Sequence, residues 1–259
     1  MSVLSIEELT VSPGLLRQTR ANVLSKISFS VQKGEIVGVV GPNGAGKTTL
    51  LNSIAGIQAI HSGRIQICGE KVGSLSALER AKRISYLPQH CDVPFPYKVK
   101  DVLKLAFYGD HSLSEDQQQQ KVNYALETLE IDGLLNRNIN ELSGGEQQLV
   151  HLARTIAQNC TIMLLDEPTS SLDLSHESRL FTLLKQLKKR DYSTLLAIHD
   201  LNTAARLCDK IALISKGKLC GFGSPSSVFT VENLRRIYGN RVDVQIDSLG
   251  LLRIEAQIR

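Results

Sequence analysis

An eight-residue run, Gly41-Pro42-Asn43-Gly44-Ala45-Gly46-Lys47-Thr48, fits the pattern G-x-x-x-x-G-K-[ST] and leaves the chain few folds to choose from. It follows the continuous apolar run Ile36-Val37-Gly38-Val39-Val40, which reads as a strand buried on both faces, and it leads into a helix. In such a unit the glycines let backbone N–H groups converge on anionic oxygens without side-chain clashes. The helix N-terminus adds partial positive charge. A plain glycine turn would explain Gly41 but not Lys47 and Thr48 together. The expected ligand is a nucleotide held along Gly41, Pro42, Asn43, Gly44, Ala45, Gly46, Lys47, Thr48 and Thr49, with Lys47 reaching the β- and γ-phosphates and Thr48 ligating Mg²⁺.

Alternation at Ile27, Phe29 and Val31 marks a half-buried strand ahead of this unit. Further strands are expected at Ile65 to Ile67, Ile84 to Leu87, Ile162 to Leu165, Leu195 to Ile198 and Ile211 to Ile214, several followed by helical periodicity. The pattern predicts an α/β fold with a mainly parallel central sheet. Between residues 88 and 159 the strands vanish. There Ser114 and Gln117 offer a capping box, and Val122, Ala125, Leu126 and Leu129 recur at helical spacing, which predicts an inserted helical lobe. Gln117 to Gln120 read as its solvated face. After Gly217 come a short strand, a helix begun by Ser224-Pro225, and the alternating Val242, Val244 and Ile246, turning at Ser248-Leu249-Gly250. Residues 217–259 are thus a small extension of a single domain spanning 1–259. A chain of 259 residues, 42% hydrophobic and 22% charged, suits such a core.

Ile162-Met163-Leu164-Leu165-Asp166-Glu167 places two carboxylates at the end of an apolar strand, on the sheet edge that faces the phosphates. Asp166 fits the Mg²⁺ role, and Glu167 is placed to polarise an attacking water. Leu142-Ser143-Gly144-Gly145-Glu146-Gln147-Gln148 precedes the amphipathic positions Leu149, Leu152, Ala153 and Ile156. Ser143 with Glu146 is a capping box. The residues alone leave open whether this helix start is a second anion site or a plain cap.

The formal charge of +4 is spread along the chain, and its densest basic run, Lys188-Lys189-Arg190, falls at the end of a predicted helix, where cations suit the dipole. Nucleic acid is not an expected partner. No apolar run approaches the roughly 18 residues that span a bilayer, and the opening residues are acidic where a signal peptide would be basic, so a cytosolic chain is expected. Cys68, Cys91, Cys160, Cys208 and Cys220 are odd in number without a C-x-x-C pair, and read as reduced structural thiols.

The string LSGGEQQ, with the phosphate loop and the Asp166-Glu167 strand end, resembles the ATP-binding cassette (ABC) ATPases. The resemblance covers nearly the whole chain, in the family's order. Gln89 after Ile84-Ser85-Tyr86-Leu87-Pro88 resembles its Q-loop, Ser171-Leu172-Asp173 its D-loop, and His199 its switch histidine. The resemblance implies a P-loop core with N-terminal antiparallel strands, ATP and Mg²⁺ as cofactors, and Glu167, His199, Gln89 and Lys47 as the hydrolytic set. Thr48, Asp166 and Gln89 would hold Mg²⁺. Ser143, Gly144, Gly145 and Glu146 would act on the ATP of a second copy in a head-to-tail dimer, with Asp173 touching the opposing protomer. One departure is Pro13, in Leu9-Thr10-Val11-Ser12-Pro13-Gly14, where the family places an aromatic residue to stack on adenine. Arg17 or Arg20 offers a guanidinium plane instead.

The stretch His199-Asp200-Leu201-Asn202-Thr203-Ala204-Ala205-Arg206-Leu207-Cys208-Asp209 is similar to the HDLN form found in ATPases of importers for iron chelates, haem and cobalamin, as is the tail containing Leu234-Arg235-Arg236-Ile237-Tyr238-Gly239. The resemblance implies two copies at the cytoplasmic face of the inner membrane, bound peripherally to two permease subunits and served by an external substrate-binding protein. Phe95, Pro96 and Tyr97 either line the permease groove or pack inside the helical lobe. A zinc or manganese importer and an exporter are the alternatives. Cassettes acting on nucleic acid or ribosomes usually carry a coiled-coil insertion or a second cassette, and the sequence has neither. The presence of Lys47, Asp166, Glu167 and His199 argues against an inactive scaffold. Ligand identity belongs to the permease and binding protein and is not written in this chain.

Overall fold

The structure, a computed structural model, describes residues 2–12, 23–91, 95–108, 112–247 and 250–256. Every residue of β3 (Ile36–Val40) is buried, so the strand sits inside a sheet covered on both faces. It pairs in parallel with β8 (Ser193–Ala197) on one side and β9 (Lys210–Ser215) on the other. Beyond β8 the parallel set continues through β7 (Ile162–Asp166) to β6 (Ile84–Leu87), while β10 (Lys218–Gly223) closes the far edge antiparallel to β9. Parallel neighbours require crossovers. These are supplied by α1 (Lys47–Ile54) after β3, α6 (Leu174–Lys189) after β7 and α7 (Leu201–Leu207) after β8. The expected α/β fold with a mainly parallel sheet is the one observed.

A second, antiparallel sheet has the order β2-β1-β4-β5 and contains β1 (Ser2–Val11), β2 (Leu24–Gln32), β4 (Ser62–Ile67) and β5 (Glu70–Lys71). Sequence alternation passes over β1 for a physical reason. A bulge between Ile6 and Leu9, with Glu8 at φ 48°, switches the buried set from Leu4 and Ile6 to Leu9 and Val11, so period two breaks mid-strand. Phe29 and Phe222 join the two sheets, with ring centroids 5.3 Å apart.

α2 (Ala77–Ala81) precedes β6, and α3 (Val99–Lys104), α4 (Glu115–Leu129) and α5 (Gly144–Ala157) lie between β6 and β7. α4 begins with a complete capping box: Ser114 Oγ accepts from the Gln117 N–H at 3.3 Å, and the Gln117 side chain accepts from the Ser114 N–H at 2.9 Å. Its buried face, Val122, Ala125, Leu126 and Leu129, shares one core with Leu149, Leu152 and Ile156 of α5 and with Met163 and Leu165 of β7. Because that core is shared, α5 belongs to the helical layer and the sheet at once, and each fully buried Val, Leu, Ile or Met in it stabilises the fold by about 1.5–3 kcal/mol.

In the tail, two short helices stand where one was expected. Ser224 caps α8 (Pro225–Val228), and Thr230 then caps a separate α9 (Val231–Tyr238) by accepting from the Asn233 N–H at 3.2 Å. β11 (Val242–Ile246) pairs with β12 (Leu252–Ala256), a strand the alternation did not announce. Of the expected turn, Ser248 and Leu249 lie outside the described residues.

Candidate functional site

The phosphate loop is shaped by close packing beneath it. A Cβ on Gly41 would stand 2.0 Å from the Ile214 carbonyl oxygen, and one on Gly46, at φ 107°, would stand 2.6 Å from Leu24 Cδ2. Only glycine fits either place. The loop therefore presses on β9 and β2 and leaves its outer face open. Gly46, the N-cap of α1, has no side chain to offer the first-turn N–H groups, which suits this helix start to an anion. Lys47 is 5% exposed and curls under the loop, where Nζ donates to the Gly41 carbonyl at 2.9 Å and the Pro42 carbonyl at 3.4 Å. Burial lowers its pKa, and the carboxylates of Glu167 and Asp166 oppose that fall.

Asp166 ends β7 fully buried, and neither carboxylate oxygen has a hydrogen-bond partner among the described residues. Burial raises its pKa. The neighbouring Thr48 hydroxyl holds the rise back, Glu167 adds to it, and Lys47 and His199 reduce it. An unpartnered buried carboxylate beside a hydroxyl is a donor set suited to a hard divalent cation that completes its shell with phosphate oxygens and water.

Glu167 turns the chain out of β7 in the left-handed region, at φ 51°, with its N–H donated to the Ala197 carbonyl at 3.1 Å. A non-glycine residue in that conformation is strained, and such strain persists where the surroundings enforce it. One carboxylate oxygen accepts from Gln89 Nε2 at 2.6 Å; the other contacts His199 Nε2. Gln89, Glu167 and His199 follow β6, β7 and β8, three adjacent parallel strands, and so meet at the carboxyl edge of the sheet. With Asn43, Gly44 and Thr48 they line a cleft of about 390 Å³. Val23 also lines it, and nothing in the local sequence marks that residue. A larger cavity of about 820 Å³, lined by Ser2, Lys33, Thr161 and Tyr192, lies at the opposite ends of the strands and holds none of these groups.

Ser143, Gly144, Gly145 and Glu146 do not line the cleft of their own chain. Ser143 caps α5, accepting from the Glu146 N–H at 3.3 Å, while Glu146 Oε2 accepts from both the Ser143 N–H and hydroxyl at 2.8 Å. Those bonds to Ser143 hold the Glu146 pKa below its ordinary value. Within one chain the motif is a helix cap. It packs beside the next loop, since a Cβ on Gly145 would come within 3.0 Å of the Ser171 carbonyl oxygen. Asp173 caps α6, accepting from the His176 N–H at 2.9 Å, and the following Leu174 is 85% exposed. Phe95 and Tyr97 are 60% and 48% exposed, with rings edge to face at 6.1 Å, and neither is buried in the helical lobe. Pro13, Arg17 and Arg20 lie outside the described residues.

Strand order, loop and strand-end side chains together define a P-loop ATPase. The chain belongs to the ABC transporter family, whose model matches residues 24–170. It is 36% identical over 235 residues to the hemin import ATP-binding protein HmuV of Pseudomonas fluorescens, covering 89% of this chain and 92% of that protein. It is likewise 36% identical over 227 residues to the cobalamin import ATP-binding protein BtuD of Halobacterium salinarum, covering 87% of this chain and 57% of that protein. Among solved structures, a chain described as from a metal-chelate type ABC transporter in an inward-facing conformation superposes with TM-score 0.82 at 26% identity, covering 100% of this chain and 99% of that one. A dimeric bacterial ABC transporter cassette superposes with TM-score 0.77 at 25% identity, covering 86% and 98%. Among the described residues no helix is long and apolar enough to cross a membrane.

Proposed function

We propose that this chain is the ATP-hydrolysing subunit of an importer that carries an iron chelate, haem or a corrinoid through a separate permease. One coincidence carries the reading: the Gln89, Glu167 and His199 cluster beside the phosphate loop occurs in a chain 36% identical, over 89% of its length, to a hemin import ATP-binding protein.

ATP lies along residues 41 to 49 with its phosphates on the loop N–H groups, and Lys47 turns from its two carbonyl partners to the β- and γ-phosphates. Thr48, Asp166 and Gln89 would hold Mg²⁺, which when bound offsets phosphate charge. Glu167 orients the attacking water and takes its proton. In the resting chain both Glu167 oxygens are occupied by Gln89 and His199, so the base becomes available when those contacts are exchanged. His199, released, reaches the γ-phosphate.

One cleft leaves the far side of the nucleotide open, whereas transition-state charge needs donors around it. Ser143, Gly144, Gly145 and Glu146 of a second copy supply that side in a head-to-tail dimer, with Asp173 at the seam; the exposure of Leu174 beside it supports a covered surface there. Phe95, Pro96 and Tyr97 offer an apolar face to the permease pair at the cytoplasmic side of the membrane, and an external binding protein delivers the cargo. The chain works as one unit, with residues 88–159 as its helical subdomain and 217–259 as its extension.

The test is to delete the gene and measure uptake of radiolabelled haem, ferric siderophores, cobalamin, zinc and manganese, then restore it with wild type or Glu167→Gln. Uptake of one chelate class should fall and return only with wild type. Loss of zinc or manganese uptake alone overturns the substrate class.

A further inference from the structure

The helix after the switch histidine is tied to the far end of the chain. His199 leaves β8, Asp200 caps α7 by accepting from the Thr203 N–H at 2.5 Å, and Asn202 stands in the first turn. Asn202 does not line the nucleotide cleft. Its carboxamide meets β12 instead: Nδ2 donates to the Ile254 carbonyl at 3.0 Å, and Oδ1 accepts from the Ile254 N–H at 2.8 Å. In the two-stranded β11–β12 ladder each strand has an open edge whose N–H and C=O need partners. Here one amide side chain answers both groups of one residue, and the reciprocal match fixes which way the amide points.

Ile254 is itself anchored. Its side chain is 8% exposed and joins the core that holds α4, α5 and β7. Opposite it on β11, Val244 packs against the same core, and the Val242 carbonyl accepts from Arg235 Nε of α9 at 3.0 Å. The hairpin is therefore a fixed body to which the first turn of α7 is fastened, three residues beyond His199.

We propose that Asn202 is a positioning residue for His199: by clasping Ile254 it sets the first turn of α7, and with it the place from which the imidazole reaches Glu167 and the nucleotide. The C-terminal hairpin is then a brace of the hydrolytic site. Asn202 touches neither ATP nor the reacting water. The hydrolytic consequence rests on the reading that His199 acts at the γ-phosphate; the positioning itself does not.

The test uses full-length Asn202→Ala and Asn202→Asp. The first removes both bonds. The second keeps an acceptor for the Ile254 N–H but sets a carboxylate oxygen against the Ile254 carbonyl. The ring ¹⁵N signals of His199, assigned by their loss in His199→Ala, are recorded beside the ATP dissociation constant and the hydrolysis rate. Both variants should shift the His199 signals and lower kcat about tenfold, the scale of a small misplacement of a reacting group, with ATP affinity within about twofold of wild type. Unchanged His199 signals in a folded variant overturn the proposal, and so does a rise in KM with kcat intact where His199→Ala itself lowers kcat. If Asn202→Ala does not fold, Asn202→Asp decides by the same signals. Should His199→Ala hydrolyse ATP normally, the mechanistic reading fails while the signals still decide whether Asn202 positions the ring.

Discussion

Replacing Asp166 by Asn should stabilise the nucleotide-free chain and weaken the chain's response to Mg-ATP. Asp166 is 0% exposed, and both of its oxygens are unpartnered among the described residues. A buried polar group without a partner costs about 1–3 kcal/mol, more when charged, and the Thr48 hydroxyl, Lys47 and His199 return part of this. The amide still buries two polar atoms but carries no charge to desolvate, so a smaller net gain of about 1 kcal/mol is expected, or roughly 2–4 °C in Tm for a chain of this size. The folded pKa of Asp166 lies above its unfolded value. Its stabilising share is therefore present below about pH 4 and is lost as pH rises through the raised folded value. The Tm gap between variant and wild type should be small near pH 4 and widen towards pH 7.5. Saturating Mg-ATP should invert the order, because a ligand at about 100 times its Kd stabilises by about 2.7 kcal/mol and the variant lacks the carboxylate proposed to hold Mg²⁺. Calorimetry across that pH range, with and without Mg-ATP, decides. A variant less stable than wild type without nucleotide at pH 7.5, or a gap independent of pH, would show that the buried Asp166 charge carries no net cost.

The two halves of the site should respond differently to substitution. Ser143→Arg should abolish hydrolysis while ATP binding by the monomer stays within about twofold, because in its own chain Ser143 is a helix cap away from the cleft; loss of monomer binding, read by equilibrium dialysis, would place it in its own site. Lys47→Ala should instead raise the ATP dissociation constant at least about tenfold, or about 1.4 kcal/mol, and unchanged affinity would remove Lys47 from the phosphates. Gly41→Ala forces a Cβ to within 2.0 Å of the Ile214 carbonyl oxygen, so the loop must shift, at about 1–3 kcal/mol and with loss of ATP binding; an unchanged Tm would show the contact to be soft.

The parallel core was readable because Ile36 to Val40 and Ile162 to Leu165 are uninterrupted apolar runs, and burial on both faces leaves no other pattern. β1 was not, since the bulge at Glu8 breaks its period. The break between α8 and α9 was hidden by Thr230, a cap that looks from sequence like any mid-helix threonine. Glu167, Gln89 and His199 could be named from motif order, yet their hydrogen-bonded meeting could not, because it depends on β6, β7 and β8 being neighbours although residues 88–159 separate two of them in sequence. Val23 enters the cleft by the packing of Leu24 against Gly46, which no local pattern encodes. The clasp between Asn202 and Ile254 joins residues 52 apart and appears only with the hairpin in place.

If Glu167 drives hydrolysis in a site completed by a second copy, Glu167→Gln given Mg-ATP should reveal both facts in its turnover and its mass in solution. Removal of a positioned base typically costs about 10² to 10⁴ in rate, so turnover should nearly vanish while ATP holds the chain as a dimer with two nucleotides, and ADP should return it to monomer. Turnover near the wild-type rate would show that Glu167 is not the base, and a monomer that retains ATP without pairing would show that no second copy completes the site.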